Sequence, residues 1–173
     1  MPLFVVQKHA ARSTHYDFRL ESEGVLKSWA LPKGPSLDSS QKRLAVSTED
    51  HAMEYARFEG VIAEGHYGAG PVIVWDLGEY RDISKGQDFP KSIEKGKLEI
   101  WLEGSKLKGG FALFRMGAGD SMNWLLKKMK DEYASPGIEI TAASPKSVIS
   151  GKSIEEIQRG KAAHVTGKMS SPS

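Results

Sequence analysis

Residues 15–32 read HYDFRLESEGVLKSWALP. The stretch holds two short segments, HYDFRLE and LKSWALP, in which aromatic and aliphatic side chains interleave with polar ones, as is typical of β-strands of about 4–8 residues. The dipeptide Glu23-Gly24 between the segments is typical of a tight turn. The stretch therefore predicts two short strands separated by a turn, and the same pattern continues along the chain.

Four more segments of this kind follow: KRLAVSTE (42–49), GPVIVWDLG (70–78), GKLEIWLEG (96–104) and GGFALFRMG (109–117), of which the last three begin and end with glycine. Many short, regularly spaced strands predict a mainly β fold, either a barrel or a sandwich. The segment NWLLKKMKD (123–131) fits a strand or a short helix, because its length does not decide between them. EDHAMEYARFEG (49–60) has apolar and long side chains at helix spacing and predicts one helical turn.

The character of the sequence changes near residue 140, where Ser, Ala, Lys and Gly become frequent. We therefore expect a folded domain over residues 1–140 and a mobile tail over residues 141–173. Ser153 and Glu156 have the spacing of a capping box, which predicts one short helix ending at Arg159.

The composition excludes several classes of protein. The 173 residues include no cysteine, which rules out a disulfide scaffold, a thiolate metal site and a cysteine nucleophile. No apolar stretch is long enough to span a membrane, and we expect a cytoplasmic protein. The 24 basic and 22 acidic residues give a net charge of +2, so binding to nucleic acid would require a local basic patch.

The densest chemistry lies in QKHAARSTHYDFR, residues 7–19. In a strand, His15, Asp17 and Arg19 point to one face, while the three apolar residues between and after them point to the other. An imidazole and a carboxylate two residues apart can reach one metal ion. His9 is the nearest candidate for a third ligand, and two imidazoles with one carboxylate leave coordination positions open for catalysis.

Arg19 adds a permanent positive charge beside this predicted metal site. Two neighbouring cations repel each other unless an anion bridges them, and phosphate is the obvious anion. The alternative is a surface strand in which His15 and Asp17 share a hydrogen bond and Arg19 is solvated.

A second group of polar residues surrounds His51, which follows Glu49 and Asp50 and precedes Tyr55 by four positions. Nearby acids favour the cationic form of an imidazole, which suits contact with phosphate or proton donation to a leaving oxygen. The alternative is a loop histidine bonded to a carboxylate. The glycine-rich stretch around His66 predicts a hairpin turn, with His66 as a spare ligand.

The stretch over residues 7–76 resembles the 3′-phosphoesterase domain of bacterial DNA ligase D and its stand-alone relatives. The ordered match runs over nearly all of residues 3–134 and includes NWLLKKMKDEYA (123–134). The resemblance implies a closed or nearly closed β-barrel of about eight strands with a few short helices and a site in a groove. It implies removal of a 3′-terminal ribonucleoside and then of the 3′-phosphate, with manganese preferred among divalent cations. The residues would form a stand-alone enzyme or an excised domain.

The resemblance also implies roles for particular residues. His9, His15 and Asp17 correspond to the metal ligands, and Arg19 and His51 to the phosphate contacts, with His51 as a proton donor. Five residues match supporting positions of the family, with Tyr55 in the catalytic group and the others in contact with the nucleic acid: Gln7, Lys33, Arg43, Glu49 and Tyr55. Apart from the resemblance, we expect Arg12 to help Lys33 and Arg43 hold the strand through its phosphates. Relatives have Arg-Leu where this chain has Ser13-Thr14, which removes one basic contact.

The expected partners are DNA primer–template 3′ ends, including ends with ribonucleotides, together with a DNA ligase and end-binding proteins of double-strand-break repair. Two other functions remain open from the residues alone. A non-haem iron oxygenase would use His15, Asp17 and a distal histidine, His51 or His66, as a facial triad. A non-catalytic nucleic-acid-binding module would use His9, His15 and Asp17 for a structural ion.

Overall fold

The structure, a computed structural model, describes residues 1–66, 68–85, 89–117 and 119–160. Nine strands carry the described fold: β1 (Leu3–Ala10), β2 (Thr14–Ser22), β3 (Val25–Leu31), β4 (Lys42–Ala52), β5 (Gly60–Ile62), β6 (Gly70–Asp82), β7 (Lys97–Glu103), β8 (Lys108–Arg115) and β9 (Asn123–Lys128). The described residues also form four short helices, two between strands and two after the last strand: a 3₁₀ helix (Met53–Arg57), α1 (Phe89–Lys95), α2 (Ile140–Ala143) and α3 (Ile154–Arg159).

The strands close into an antiparallel barrel. Eight of them pair in the order β1-β2-β3-β4-β9-β8-β7-β6, and β6 pairs again with β1, which closes the sheet on itself. Strand β5 is a short additional strand that pairs with the first residues of β6. The predicted β-barrel of about eight strands with a few short helices is confirmed, and the sandwich is excluded. Closure leaves these eight strands without an unpaired edge.

Alternation along the strands sorts the side chains into an inner and an outer set. On β2, Tyr16, Phe18 and Leu20 point into the barrel and join its apolar core, while Asp17 and Arg19 point outward. The core also takes side chains from most other strands, with Trp29 and Trp75 among the largest buried ones. A filled interior means that chemistry requiring solvent or substrate has to use the outer surface.

A second apolar cluster covers part of that outer surface. It joins outward-facing residues of β1, β3 and β6 to the 3₁₀ helix and β5, and its buried members are Val5, Leu26, Tyr55, Ala56, Phe58, Ile62, Val72 and Val74. The helical turn predicted over residues 49–60 is confirmed as the 3₁₀ helix. The cluster fixes this helix beside the outward-facing polar residues of β1 and β2.

The structure decides the open assignment of residues 123–131. Residues 123–128 form a strand, β9, because Trp124 and Leu126 alternate into the core. Trp101 lies half-buried on the outer face, where its indole N–H donates to Glu103. No helix among the described residues is long and apolar enough to cross a membrane.

Helix α3 confirms the predicted capping box. The Ser153 hydroxyl accepts from the Glu156 N–H at 3.1 Å, and the Glu156 carboxylate accepts from the Ser153 N–H at 2.9 Å. The domain boundary near residue 140 stays a prediction, although residues 144–154 contact the barrel. The part of the predicted tail over residues 161–173 lies outside the described residues.

We expect the loss of unfolding free energy in two leucine truncations to distinguish the inner from the outer face of the barrel. Leu20 is 0% exposed inside the barrel and Leu44 is 41% exposed outside it. Leu20→Ala leaves a cavity and should lower the free energy of unfolding by about 3 kcal/mol. Leu44→Ala should cost less than about 1 kcal/mol. Urea denaturation measures both, and equal losses would contradict the assignment of inner and outer faces.

Candidate metal centre

The hairpin of β1 and β2 brings the three predicted metal ligands together. His9 is directly paired with His15 in the strand register, and Asp17 lies two residues along the same face. Their ligand atoms all lie within 4.8 Å of one another. His9 therefore reaches the site across the hairpin as a cross-strand neighbour, whereas spacing alone had only made it the nearest candidate.

The hydrogen bonds around the two histidines direct one nitrogen of each toward Asp17. His9 Nε2 lies 2.6 Å from the carbonyl oxygen of Gly68, to which it donates, so its Nδ1 keeps a lone pair on the Asp17 side. His15 Nδ1 lies 3.4 Å from the Ser13 carbonyl, and its Nε2 lies 3.2 Å from Asp17 Oδ2. Carbonyl partners that fix the tautomer are typical of metal-binding histidines. The donor set fits a divalent transition metal.

The protonation states of His9 and Asp17 favour metal binding, whereas that of His15 opposes it. Burial lowers the pKa of His9, which keeps it neutral. Burial opposes the ionised form of Asp17, yet the hydrogen bond from His15 and the charge of Arg19 lower its pKa overall. The hydrogen bond to Asp17 raises the pKa of His15. A metal would therefore displace the proton that His15 shares with Asp17.

Arg19 is a buried cation at the edge of this group. Its side chain is 4% exposed, and Nη2 lies 3.5 Å from Asp17 Oδ2. Nε donates to Gln7 Oε1 at 2.7 Å, and Nη1 donates to the Ser28 hydroxyl at 2.9 Å. Nη1 also lies 3.2 Å from His51 Nδ1. The guanidinium thus joins the metal cluster to the second predicted group.

His51 lies on β4, beyond Arg19 as seen from Asp17. Its Nδ1 is 3.0 Å from the carbonyl of Glu49, and its ring lies 5.2 Å from the ring of Tyr55. Burial, followed by the charge of Arg19, lowers the pKa of His51 to about 4. The expectation that neighbouring acids favour its cationic form is therefore wrong for the protein without ligand, because burial and Arg19 outweigh them. Tyr55 is also buried, and burial raises its pKa to about 12.

Gln7 links this group to the 3₁₀ helix. Its amide donates to the carbonyl of Tyr55 at 2.8 Å and to that of Phe58 at 3.3 Å, while its oxygen accepts from Arg19. The side chain is fully buried. Gln7 therefore orients the guanidinium from behind.

The other predicted contacts lie outside this cluster. Arg43 is buried, donates to both carboxylate oxygens of Glu139 at 2.9 and 2.7 Å, and donates to the Lys33 carbonyl at 2.8 Å. The side chains of Arg12, Lys33 and Glu49 are exposed. The spare ligand His66 is exposed and is not part of the group of potential ligands.

Two residues of the site were missed by reasoning from sequence. Ser28 accepts from Arg19 across the β2–β3 pair, where the two residues are directly opposite. Gly68 supplies a carbonyl to His9 from a backbone with φ of 73°, and a Cβ there would lie 3.2 Å from the His9 ring. The strand register would have indicated Ser28, but register is not visible in one sequence.

The fold and the site together define a small β-barrel protein with a candidate metal centre and a buried arginine on its outer wall. The sequence model for the DNA ligase D 3′-phosphoesterase domain matches residues 7–115. The chain belongs to this family.

The chain is also similar to part of longer proteins. This chain is 47% identical over 154 residues to the multifunctional non-homologous end joining protein LigD of Pseudomonas aeruginosa, covering 87% of this chain and 18% of that protein. It is 45% identical over 142 residues to the multifunctional non-homologous end joining DNA repair protein LigD of Mycobacterium tuberculosis, covering 82% and 18%. The chain thus spans less than a fifth of the length of these relatives.

We expect the protein to bind Mn²⁺ and Asp17→Ala to weaken binding at least about tenfold, because the variant loses the one carboxylate of the cluster. Affinity should fall as pH falls, since the proton on His15 competes with the metal and its pKa is raised. Titration calorimetry measures both effects. His66→Ala is the control, and binding that is equal in Asp17→Ala and His66→Ala would contradict the site.

We expect His51 to make stability depend on pH. Its pKa is lowered from 6.5 to about 4 on folding, so below pH 6.5 the unfolded state takes up a proton that the folded state does not. The contribution to stability is full above pH 6.5 and is lost progressively as pH falls toward 4. His51→Gln should therefore lose less unfolding free energy than the wild type over this range in metal-free urea denaturation. Identical losses would show that His51 is not buried in its neutral form.

Proposed function

We propose that this domain is a metal-dependent hydrolase of DNA 3′ ends that acts in non-homologous end joining. It removes a 3′-terminal ribonucleoside to leave a 3′-phosphate, and then removes that phosphate to leave a 3′-hydroxyl that a ligase can use. Membership in the DNA ligase D 3′-phosphoesterase domain family supports this proposal. The relatives, which are named as non-homologous end joining proteins, support it as well.

One observation carries the chemistry: a permanently charged guanidinium is buried between Asp17 and His51, beside a group that fits a divalent metal. The charges of Asp17 and Arg19 cancel, so a bound divalent ion would leave the site with two positive charges. A buried excess of charge is costly unless an anion neutralises it. A phosphate group has the matching charge and oxygen acceptors for the arginine fork.

His9, His15 and Asp17 would hold the metal, for which we propose Mn²⁺. When bound, the ion polarises a phosphate oxygen and lowers the pKa of water. Arg19 binds another phosphate oxygen and stabilises the charge that accumulates as the phosphorus–oxygen bond breaks. Gln7 and Ser28 keep the guanidinium in place without competing for its outward side.

His51 enters the reaction neutral at pH 7, because its pKa is about 4 in the protein without ligand. Its Nδ1 either donates to the Glu49 carbonyl or accepts from Arg19, and Nε2 carries the proton in the second case. Nε2–H then donates a hydrogen bond to phosphate. Proton transfer to the leaving oxygen requires the imidazolium form of His51, which takes up a second proton from solvent when the negative charge of bound phosphate raises its pKa. In that form Nδ1–H donates to the Glu49 carbonyl, and the imidazole is neutral again after Nε2 has given its proton to the leaving oxygen. Tyr55 packs against the imidazole and holds its plane.

We propose that the substrate strand is held through its backbone by exposed basic residues, including Arg12 and Lys33, so binding should weaken with salt. The direct bond of Arg43 to Glu139 favours a supporting role for Arg43 under Lys33. A ribose 2′-hydroxyl next to the reacting phosphate accounts for the preference for a terminal ribonucleotide. A DNA ligase and end-binding proteins are the proposed partners, because the products are ends ready for joining.

We expect a 5′-labelled primer–template with one 3′-ribonucleotide and Mn²⁺ to yield first a 3′-phosphate and then a 3′-hydroxyl on a denaturing gel. Arg19→Ala should lower kcat for both steps about 10²–10³-fold, because charge stabilisation in the transition state is lost. Asp17→Ala should abolish both. The control is Arg57→Ala, which removes an exposed arginine and should retain wild-type rates.

The same assay separates the alternatives. Trimming of a preformed 3′-phosphate alone would restrict the proposal to the second step. DNA binding without turnover would replace it with a binding module. Two histidines and one carboxylate also form the facial triad of iron oxygenases, so oxygen uptake with Fe²⁺ and no phosphate release would support that reading instead.

A further inference from the structure

Residues 144–159, which we call the C-terminal strap, run across the outer wall behind the candidate site. The strap is attached at its start by the Trp75 indole, which donates to the Ser144 carbonyl at 2.7 Å. Val148 packs on the second apolar cluster, and Ile154 is 8% exposed. Helix α3 lies against β6, β5 and β1. The strap therefore covers the strand and the cluster that support the 3₁₀ helix.

The strap is also attached at a bulge in the barrel. Between β1 and β6 the register shifts so that Val6 faces Asp76 and Gln7 faces Val74, which leaves one extra residue on β6. The N–H of Val74 donates to Glu59 Oε1 at 2.8 Å, and its carbonyl accepts from Val148 N at 3.0 Å. The N–H and the carbonyl of Val74 are thus both bonded to residues outside the β1–β6 pair.

Ser147 connects the strap to the same carboxylate. Its hydroxyl donates to Glu59 Oε1 and also accepts from the N–H groups of Ile149 and Ser150, each at 3.0 Å. Ser147 is 5% exposed, so this bond is shielded from water. A desolvated network of this kind is rigid when all its members are satisfied. It holds Glu59 in a single position relative to β6.

From Glu59 a continuous set of contacts leads to the reacting groups. Glu59 directly follows Phe58, whose carbonyl accepts from the Gln7 amide. Gln7 in turn accepts from Arg19 Nε, and Arg19 contacts both His51 and Asp17. The position of Gln7 is thus fixed from two directions: by the carbonyl next to Glu59 and by its strand partner Val74. Both of these are anchored by the strap.

We propose that the C-terminal strap is a positioning element of the site, in which Ser147 and Glu59 fix Gln7 and thereby orient the Arg19 guanidinium. The effect of the strap on turnover rests on the proposed function, whereas its effect on the orientation of the Arg19 guanidinium does not. His9 and His15, two of the three metal ligands, lie on the β1–β2 hairpin outside this path, and Asp17 is reached only at its end, through Arg19. Loosening the strap should therefore reduce kcat while leaving the affinity for Mn²⁺ close to wild type.

The test compares substitutions in the full chain. Ser147→Ala removes the hydroxyl that binds Glu59, and the matched control Ser150→Ala removes an exposed hydroxyl in the same turn. Glu59→Ala removes the acceptor, whereas Glu59→Gln retains an oxygen that can accept from both Val74 and Ser147. We expect Ser147→Ala and Glu59→Ala to lower kcat on a 3′-phosphate primer–template about fivefold to tenfold, the loss of one buried hydrogen bond. Ser150→Ala and Glu59→Gln should retain wild-type kcat.

A second readout does not depend on the substrate. The ¹H–¹⁵N signal of the Arg19 Nε–H, assigned by its loss in Arg19→Lys, reports the bond to Gln7. We expect Ser147→Ala to shift this signal and speed its exchange with water at a temperature where circular dichroism shows the protein folded. An unchanged signal in folded Ser147→Ala and Glu59→Ala would overturn the proposal. A shifted signal without phosphate release by the wild type would support the strap and refute the proposed function.

Discussion

The buried positive charge of Arg19 is the constraint on which the site depends. A guanidinium cannot lose its charge near neutral pH, so burying it is costly unless its donors are bonded and its charge is compensated. The structure meets this need from four strands: Gln7 on β1, Asp17 on β2, Ser28 on β3 and His51 on β4. Each of these residues is held in turn by the barrel or by the 3₁₀ helix. Because these four residues bond the donors of Arg19 and compensate its charge, the polar cluster is held in one arrangement.

The closed barrel supplies the rigid support that such a polar cluster needs on its outer face. Tyr16 and Phe18 point inward between the site residues of β2, so the same strand that carries Asp17 and Arg19 also anchors the core. The outer side of the hairpin is then shielded by Tyr55 and Phe58, whose rings stack 5.0 Å apart. Burial by this second cluster lowers the pKa of His51 and removes Arg19 from water. Electrostatic interactions in such a shielded site are stronger than on an open surface.

The sequence predicts the elements of this arrangement better than their contacts. Alternation in HYDFRLE placed Asp17 and Arg19 on one face, and short strands between glycines indicated a barrel or sandwich. The pairing of His9 with His15 and of Arg19 with Ser28 depends on register, which is set by turns and by the bulge at Val6 and Gln7. The low pKa of His51 was missed because nearby acids in sequence do not reveal burial in space. The bond between Arg43 and Glu139 joins residues 96 positions apart, beyond any local pattern.

Asp17 shows how the metal and the anion site can depend on each other. Its Oδ2 atom is the shared partner of His15 at 3.2 Å, Arg19 at 3.5 Å and His9 at 3.9 Å. An oxygen that binds a divalent ion gives up part of its negative charge, so it compensates Arg19 less. The guanidinium, held by Gln7 and Ser28, cannot move away to solvent. Its charge is then left for a ligand beside the metal, which means that metal binding itself should create the affinity for an anion such as phosphate. Through this one carboxylate oxygen, Asp17 would couple anion binding to metal binding.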